Sequence, residues 1–514
     1  MRPAGGARSA FEPATFRAQG HGLVDALADY LSQALSGNDL PVFPDAPQAA
    51  TAREWPASFP QVPAPGGDLA ELVSRVVRDS IHLHHPRYLG HQVTSPLPGA
   101  ALAELAGTLL NNAMAVYEMG PAATAMERSL LRWMAGQVGW GDAADGVLTS
   151  GGSAGNLTAL LAMRQARAGF DIWEHGTTGG PPLAVLAGDQ AHYCVLRAIQ
   201  IMGWGRAGLV PVPSDERFRL DPRALEPALR SARAAGRRVV GVVASACSTA
   251  TGAFDPLEPI AEFCHAHELW LHVDGAHGAA ATLSPRYRHL LAGVERADSL
   301  VWDAHKMMLM PALATAVLFR DGDRSHDAFA QQASYLFHGA RPREDRFDVG
   351  LRTLECTKRM LALPLYAALS LHGTQLFADY VTSTFDLAAT FADLLREAPD
   401  FELAVEPQSN IVCFRHTPQG AGDLDALQAY VRRSLLEGGG FYVVQTRLPA
   451  GLFLRATLIH PFTTEADLLA LMDEIRAVAR RVDAARHQNV ASAALAAAPL
   501  AVDPERTTST ARSG

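Results

Sequence analysis

Four short apolar runs constrain this chain more than any other feature: "LAVLAG" (183–188), "VVGVVASA" (239–246), "LWLHVD" (269–274) and "ATAVLF" (314–319). Each has the length of a strand and lacks the polar alternation of a strand with one wet face, so each suits a strand buried on both sides. Helical stretches such as "DPRALEPALRSARAAG" and "DPLEPIAEFCHAHE" lie between them. The alternation predicts an α/β domain with a mainly parallel sheet, whose ligands sit beyond the carboxyl ends of the strands.

The flanks differ. Residues 1–95 combine amphipathic helical stretches ("GLVDALADYLSQAL", "DLAELVSRVVRDSI") with a Pro/Ala-rich run, a pattern suited to lying against another surface such as a second subunit. The large domain is expected over 96–375, starting with the helical "ALAELAGTLLNNAM". A smaller α+β domain is expected over 376–485, from "NIVCFRH", "GLFLRATLIH" and "EADLLALMDEIRAVARRV". The segment 486–514 is poor in large apolar residues and is expected to be a disordered tail.

A net charge of −9 offers no electrostatic footprint for nucleic acid, and no basic run suggests a membrane surface. No apolar stretch reads as a membrane span or a signal peptide. Five cysteines, without metal-type spacing, read as free thiols in a reducing cytoplasm, and no metal site is expected.

Of 44 basic residues, only Lys306 and Lys358 are lysine. Arginine supplies charge and bidentate hydrogen bonds but stays protonated. A lysine can lose its proton when desolvated and attack a carbonyl to form a Schiff base. Lys306, in the apolar "VWDAHKMMLMP", is therefore a candidate nucleophilic amine. "LTSGGSAGNLTALL" puts Gly152 and Ser153 in a turn before a helix, where backbone N–H groups could bind an anion. Asp274 ends an apolar strand and needs a cationic partner, for which a protonated pyridine nitrogen would serve. His192, in "GDQAHYCVLRA", follows a strand and opens a helical run. Each has an ordinary reading: a chance lysine, a serine-capped turn, a capping aspartate, a loop histidine. Together they fit pyridoxal phosphate, while the glycine signatures of a dinucleotide fold or a P-loop are missing.

In these residues the chain resembles the group II pyridoxal-phosphate-dependent amino-acid decarboxylases, which include the glutamate, cysteine-sulfinate, aromatic amino-acid and diaminobutyrate enzymes. The similarity runs from "HHPRYLGH" (84–91) to "LRATLIHPFTT" (454–464), through "TSGGSAGNLTAL", "AHY", "STATGAFDPL", "HVDGAHG", "DAHK" and "SYLF" in the family's order. It implies a fold-type I PLP-dependent transferase-like architecture and a cytoplasmic homodimer with active sites at the subunit interface. The implied reaction is decarboxylation of an L-amino acid to its amine.

The resemblance also implies roles. Lys306 would carry the cofactor, Asp274 would pair with its ring nitrogen, and Ala276 and His192 would cover its two faces. Gly152, Ser153 and His305 would sit by the phosphate, Thr249 by the ring substituents, and Arg455 would bind the substrate α-carboxylate. Tyr335, in "ASYLFHG", would return a proton to Cα, and it favours plain decarboxylation over the aldehyde-forming chemistry of relatives with phenylalanine there.

The sequence departs from the family habit at Ala154–Gly155, Cys247, Asp303 and Lys358, which stands where relatives tend to carry arginine. Lys358 is therefore expected to make a site-specific contact, to the catalytic loop or to a substrate group. "NNAMAVYEMGPAATAME", "SYLF" and "ECTKRM" resemble the branch that acts on acidic substrates, with His91 and Gln92 near where that branch turns a polar group toward the substrate. Diaminobutyrate or an aromatic amino acid, and oxidative or carbon–carbon lyase chemistry on the same scaffold, remain open alternatives.

Overall fold

The computed structural model describes residues 10–37, 40–44, 68–329 and 347–496, with isolated positions before residue 68; for 482–496 it describes the backbone only. Its strands, in chain order, are β1 (Tyr88–Leu89), β2 (Asp145–Thr149), β3 (Leu183–Gly188), β4 (Leu209–Val212), β5 (Arg238–Ser245), β6 (Trp270–Asp274), β7 (Ser299–Asp303), β8 (Thr315–Phe319), β9 (Phe401–Leu403), β10 (Ile411–His416), β11 (Tyr442–Leu448) and β12 (Gly451–Thr457).

Seven of these form one sheet in the order β2-β8-β7-β6-β5-β3-β4. The pairs from β4 to β7 are parallel, and β8 runs antiparallel to both β7 and β2. All four apolar runs lie in it, within a residue of their expected bounds. The sheet also includes β2, β4 and β7, which those runs did not single out. "SLVWD" (β7) has polar ends, and "LVPV" (β4) contains Pro211, which an edge strand tolerates because its outer N–H needs no partner. Val242, Val243, Leu271, Val273, Leu300, Val301, Val317 and Leu318 are fully or almost fully buried, which accounts for the unbroken apolar runs.

The second sheet has the order β1-β11-β12-β10-β9, antiparallel except for the parallel pair β1–β11. Tyr88 and Leu89, from the N-terminal segment, thus form an edge strand beside the C-terminal sheet. Tyr88 stacks on Tyr442 with ring centroids 5.4 Å apart. The last helix, Glu465–Ala496, continues past residue 486, where a disordered tail was expected to begin; residues after 496 lie outside the described part. Among the described residues no helix is long and apolar enough to cross a membrane.

A buried histidine ties the sheet to the helix that follows the glycine turn. His272 on β6 meets Ser299 Oγ of β7 through Nδ1 at 2.8 Å and Asn156 Oδ1 of the helix Gly152–Arg167 through Nε2, also at 2.8 Å. Asn156 in turn donates to the carbonyl of Gly152 at 2.9 Å, so the chain behind the turn is fixed from the sheet.

Burial pushes the His272 pKa down from 6.5 to about 4, and that of His460 likewise to about 4. In the unfolded chain both would titrate near 6.5, so unfolding takes up protons between the two values. The histidine contribution is complete above pH 6.5 and is lost as the pH falls toward 4. Each histidine should add up to about 1.4 kcal/mol per pH unit to the slope in that window. Denaturant melts from pH 7.5 down to 5 should show this loss, and His272→Gln should flatten it while lowering stability at pH 7.5.

Candidate active site

Most of the side chains that converge on one cavity do so from the carboxyl ends of strands of the large sheet, as expected for an open α/β sheet. Asp274 is the last residue of β6. Asp303 is the last of β7, and the short helix Ala304–Met307 after it presents His305 and Lys306. The turn after β2 supplies Gly151, Gly152 and Ser153 at the start of the 16-residue helix Gly152–Arg167. His192 caps the helix Tyr193–Ile201 after β3, and Thr249 lies in the loop after β5. Because β8 runs the other way, its first residues reach the same end of the sheet.

The cavity these elements enclose has a volume of about 300 Å³. Lys306, Asp274, Ala276, His192, Gly152, Ser153, His305 and Thr249 all line it. Arg455, on β12, stands behind Thr249, to whose carbonyl its Nη1 donates at 2.6 Å. His91 and Gln92 do not line the cavity; His91 packs on Tyr442 with centroids 5.9 Å apart, and Gln92 is buried with its amide nitrogen unpartnered. Tyr335 lies outside the described residues.

The surroundings of Lys306 overturn one expectation, that apolar neighbours would leave it a neutral amine. Burial does push the amine down, but the carboxylates of Asp303 and Asp274 outweigh it and hold the pKa above the ordinary lysine value. Lys306 Nζ is 3.2 Å from Asp303 Oδ2. Asp303 is itself fixed by Thr315 Oγ1, which donates to Oδ1 at 2.6 Å, and its Oδ2 lies 3.6 Å from His305 Nε2. The other ring nitrogen of His305 is 3.1 Å from the carbonyl of Ala314.

Asp274 is oriented by the N–H of Ala276, 3.2 Å from Oδ1, and has no ion pair among the described residues. His192 Nδ1 accepts the N–H of Cys194 at 3.3 Å, so its proton sits on Nε2, and burial lowers the pKa of the ring. A Cβ on Gly152 would come 3.1 Å from Asp303 Oδ2, so any larger residue would crowd the carboxylate that holds Lys306.

Sequence reasoning missed His277. It is buried, lines the cavity, and bonds through Nε2 to Asn410 Oδ1 at 2.7 Å. Asn410 spends its amide N–H groups on the Leu458 carbonyl, at 3.1 Å, and Met307 Sδ, at 3.3 Å. Its oxygen must therefore accept from His277 Nε2–H, which leaves Nδ1 as a buried acceptor without a partner. The small-residue run "HVDGAHGAAA" was the only signal for it.

Lys358 makes a specific contact, but not to a substrate group: it does not line the cavity and is buried against Glu127 and the carbonyl of Leu148, while the loop that carries Tyr335 lies outside the described residues.

The set fits pyridoxal phosphate on structural grounds. An unpaired carboxylate, an amine and a glycine turn at a long helix N-terminus face one cavity, matching a ring nitrogen, an aldehyde and a phosphate. No cluster of His, Cys, Asp or Glu suited to a metal occurs among the described residues.

Comparison with known proteins agrees. The family model "Pyridoxal-dependent decarboxylase conserved domain" matches residues 48–417. Human cysteine sulfinic acid decarboxylase is 31% identical over 422 residues, covering 79% of this chain and 85% of that protein. Aromatic-L-amino-acid decarboxylase of Bacillus atrophaeus is 28% identical over 475 residues, 91% of this chain and 96% of the relative. The crystal structure of mouse CSAD superposes with a TM-score of 0.84 at 26% identity, over 91% of this chain and 99% of that one.

Removing the Asp303 charge should lower the Lys306 pKa, because a carboxylate that favours the ammonium is lost. In apo-protein carrying Asp303→Asn, the pH profile for cofactor attachment to Lys306, followed by visible absorbance, should shift toward lower pH. An unshifted profile would mean that Asp303 does not control the amine.

Proposed function

Because the chain belongs to the pyridoxal-dependent decarboxylases, PLP-dependent carboxy-lyases of amino acids, we propose that it decarboxylates an acidic L-amino acid of the glutamate, aspartate or cysteine-sulfinate kind. The observation that carries the chemistry is the meeting of Lys306 and Asp274 in one cavity with the Gly152–Ser153 turn. The likeness to human cysteine sulfinic acid decarboxylase supports an acidic substrate. The likeness to the Bacillus aromatic enzyme, which extends over nearly its whole length, supports an aromatic substrate as the second reading.

The bound cofactor supplies an electron sink for the pair left on Cα when CO₂ departs. The remaining tasks fall to this chain. Lys306 would hold the cofactor, and Asp274 would keep a proton on its ring nitrogen. Ala276 and His192 would confine the ring between them, with Thr249 beside its substituents. Gly152, Ser153 and His305 would bind the phosphate at the helix N-terminus.

Arg455 would take the substrate α-carboxylate and so orient the bond to be broken. Its guanidinium is buried, its Nη1 is fixed by the Thr249 carbonyl, and its Nε has no partner. Tyr335 would return a proton to Cα. His91 and Gln92 would contribute to substrate choice only from outside the protomer's own cavity.

We further read the protein as a cytoplasmic homodimer. Leu102, Leu105, Leu109 and Leu110 on the helix Pro98–Leu110 are 47–66% exposed, an apolar face that a second copy would cover.

A screen of L-amino acids for CO₂ release, with the amine identified, tests the substrate. Glutamate, aspartate or cysteine sulfinate should be turned over best, and preference for an aromatic amino acid would replace the acidic reading. Lys306→Ala should lose the visible absorbance of bound cofactor and reduce turnover by orders of magnitude; near-normal turnover would refute the assignment of Lys306. Arg455→Met should weaken substrate saturation by roughly tenfold or more, the scale of a lost charged hydrogen bond, while cofactor absorbance stays unchanged.

A further inference from the structure

The strand that delivers the glycine turn lies at the edge of the large sheet. β2 pairs with β8 alone, so the backbone groups on its other side have no strand to bond. At Leu148 both are taken by one ion pair. The N–H donates to Glu127 Oε1 at 3.0 Å, and the carbonyl accepts from Lys358 Nζ at 2.8 Å. Lys358 and Glu127 also bond to each other, and they are only 7% and 3% exposed. Glu127 comes from the helix Pro121–Gln137, and Lys358 from the segment before the helix Ala362–His372. The ammonium and carboxylate thus stand in for a missing neighbour strand at one residue.

The segment that carries Lys358 holds β2 at two further points. Arg352 Nη1 bonds to Asp145 Oδ2 at 3.2 Å where the strand begins. Ser150 Oγ donates to Glu355 Oε1 at 2.5 Å just beyond its end. Arg352, Glu355 and Lys358 therefore grip residues 145, 150 and 148, and Ser150 lines the cavity. A compact ammonium can serve Glu127 and the Leu148 carbonyl from one point, which a planar guanidinium cannot do without more room.

We propose that Lys358 and Glu127 are positioning residues for the cofactor: by fixing the backbone of Leu148 they place the Ser150–Ser153 turn, and so set the affinity for the cofactor phosphate. The proposal rests on the reading of that turn as the phosphate site. A buried ion pair that served only stability would not distinguish one ligand from another.

The two roles separate on ligands that differ only in the phosphate. Apo-protein would be titrated with pyridoxal 5′-phosphate and with pyridoxal, followed by visible absorbance, well below each variant's melting temperature. Lys358→Met should weaken binding of the phosphorylated compound by roughly tenfold or more, the scale of a lost supporting partner behind a binding group, and leave pyridoxal binding unchanged. Lys358→Arg should recover part of the loss.

Glu127→Gln, which keeps the shape of the side chain, carries the same expectation should Lys358→Met fail to fold. Equal weakening of both ligands, or of neither, would overturn the proposal. Ser153→Ala is the control for the turn: if it lowers phosphate-dependent affinity and the Lys358 and Glu127 variants do not, the inference alone fails. If none of them does, the phosphate site lies elsewhere and the reading beneath the inference fails with it.

Discussion

One ion pair, Lys306 with Asp303, organises this molecule, with the unpaired carboxylate of Asp274 at the end of the neighbouring strand. Asp303 and Asp274 end strands that are buried along their whole length, and a carboxylate in such surroundings needs a partner: Asp303 has Lys306 Nζ at 3.2 Å, and Asp274 has the N–H of Ala276. The sheet fixes where they stand. Asp274 and Asp303 end neighbouring parallel strands, and Lys306 follows three residues after Asp303 on the first helical turn. The reversed strand β8 adds the Thr315 hydroxyl and the Ala314 backbone that hold Asp303 and His305.

Much of this was legible in the sequence because it depends on local chemistry. A strand buried on both faces must read as an apolar run, and a carboxylate ending such a run must have a reason. A lysine kept in a chain that otherwise uses arginine has one as well. Of the residues that line the cavity, Lys306, Asp274, His192, Gly152 and Ser153 are of that kind, whereas Ala276, Thr249 and His305 were reached only through the family resemblance.

What the sequence obscured depends on pairing across long separations. The apolar neighbours of Lys306 suggested a depressed amine, but the carboxylates decide the sign: Asp303 stands three residues before it, in plain sight in "DAHK", while Asp274, which adds to it, lies 32 residues away in the chain. Lys358 stood out by composition, yet its partner Glu127 is 231 residues distant, and nothing in "ECTKRM" points to it. His277 looked like part of a small-residue turn because its partner, Asn410, belongs to the other sheet's approach.

The two sheets meet at the cavity through polar contacts. Arg455 of β12 reaches the Thr249 carbonyl, Asn410 holds His277, and Gln408 accepts the N–H of Phe254 at 3.0 Å. Directional bonds fix orientation where apolar packing alone would tolerate sliding, and buried ones are costly to break singly. Thr249 and Phe254 lie in the loop after β5, and His277 lies in the loop after β6, just past Asp274 and beside Ala276. The surface that would confine the cofactor ring is therefore also the surface on which the second sheet is seated. A change in the angle between the sheets would move Arg455 relative to Asp274, and with it the substrate carboxylate relative to the ring. Two unsatisfied nitrogens, Arg455 Nε and His277 Nδ1, stand at this boundary, where a ligand in the cavity could complete them.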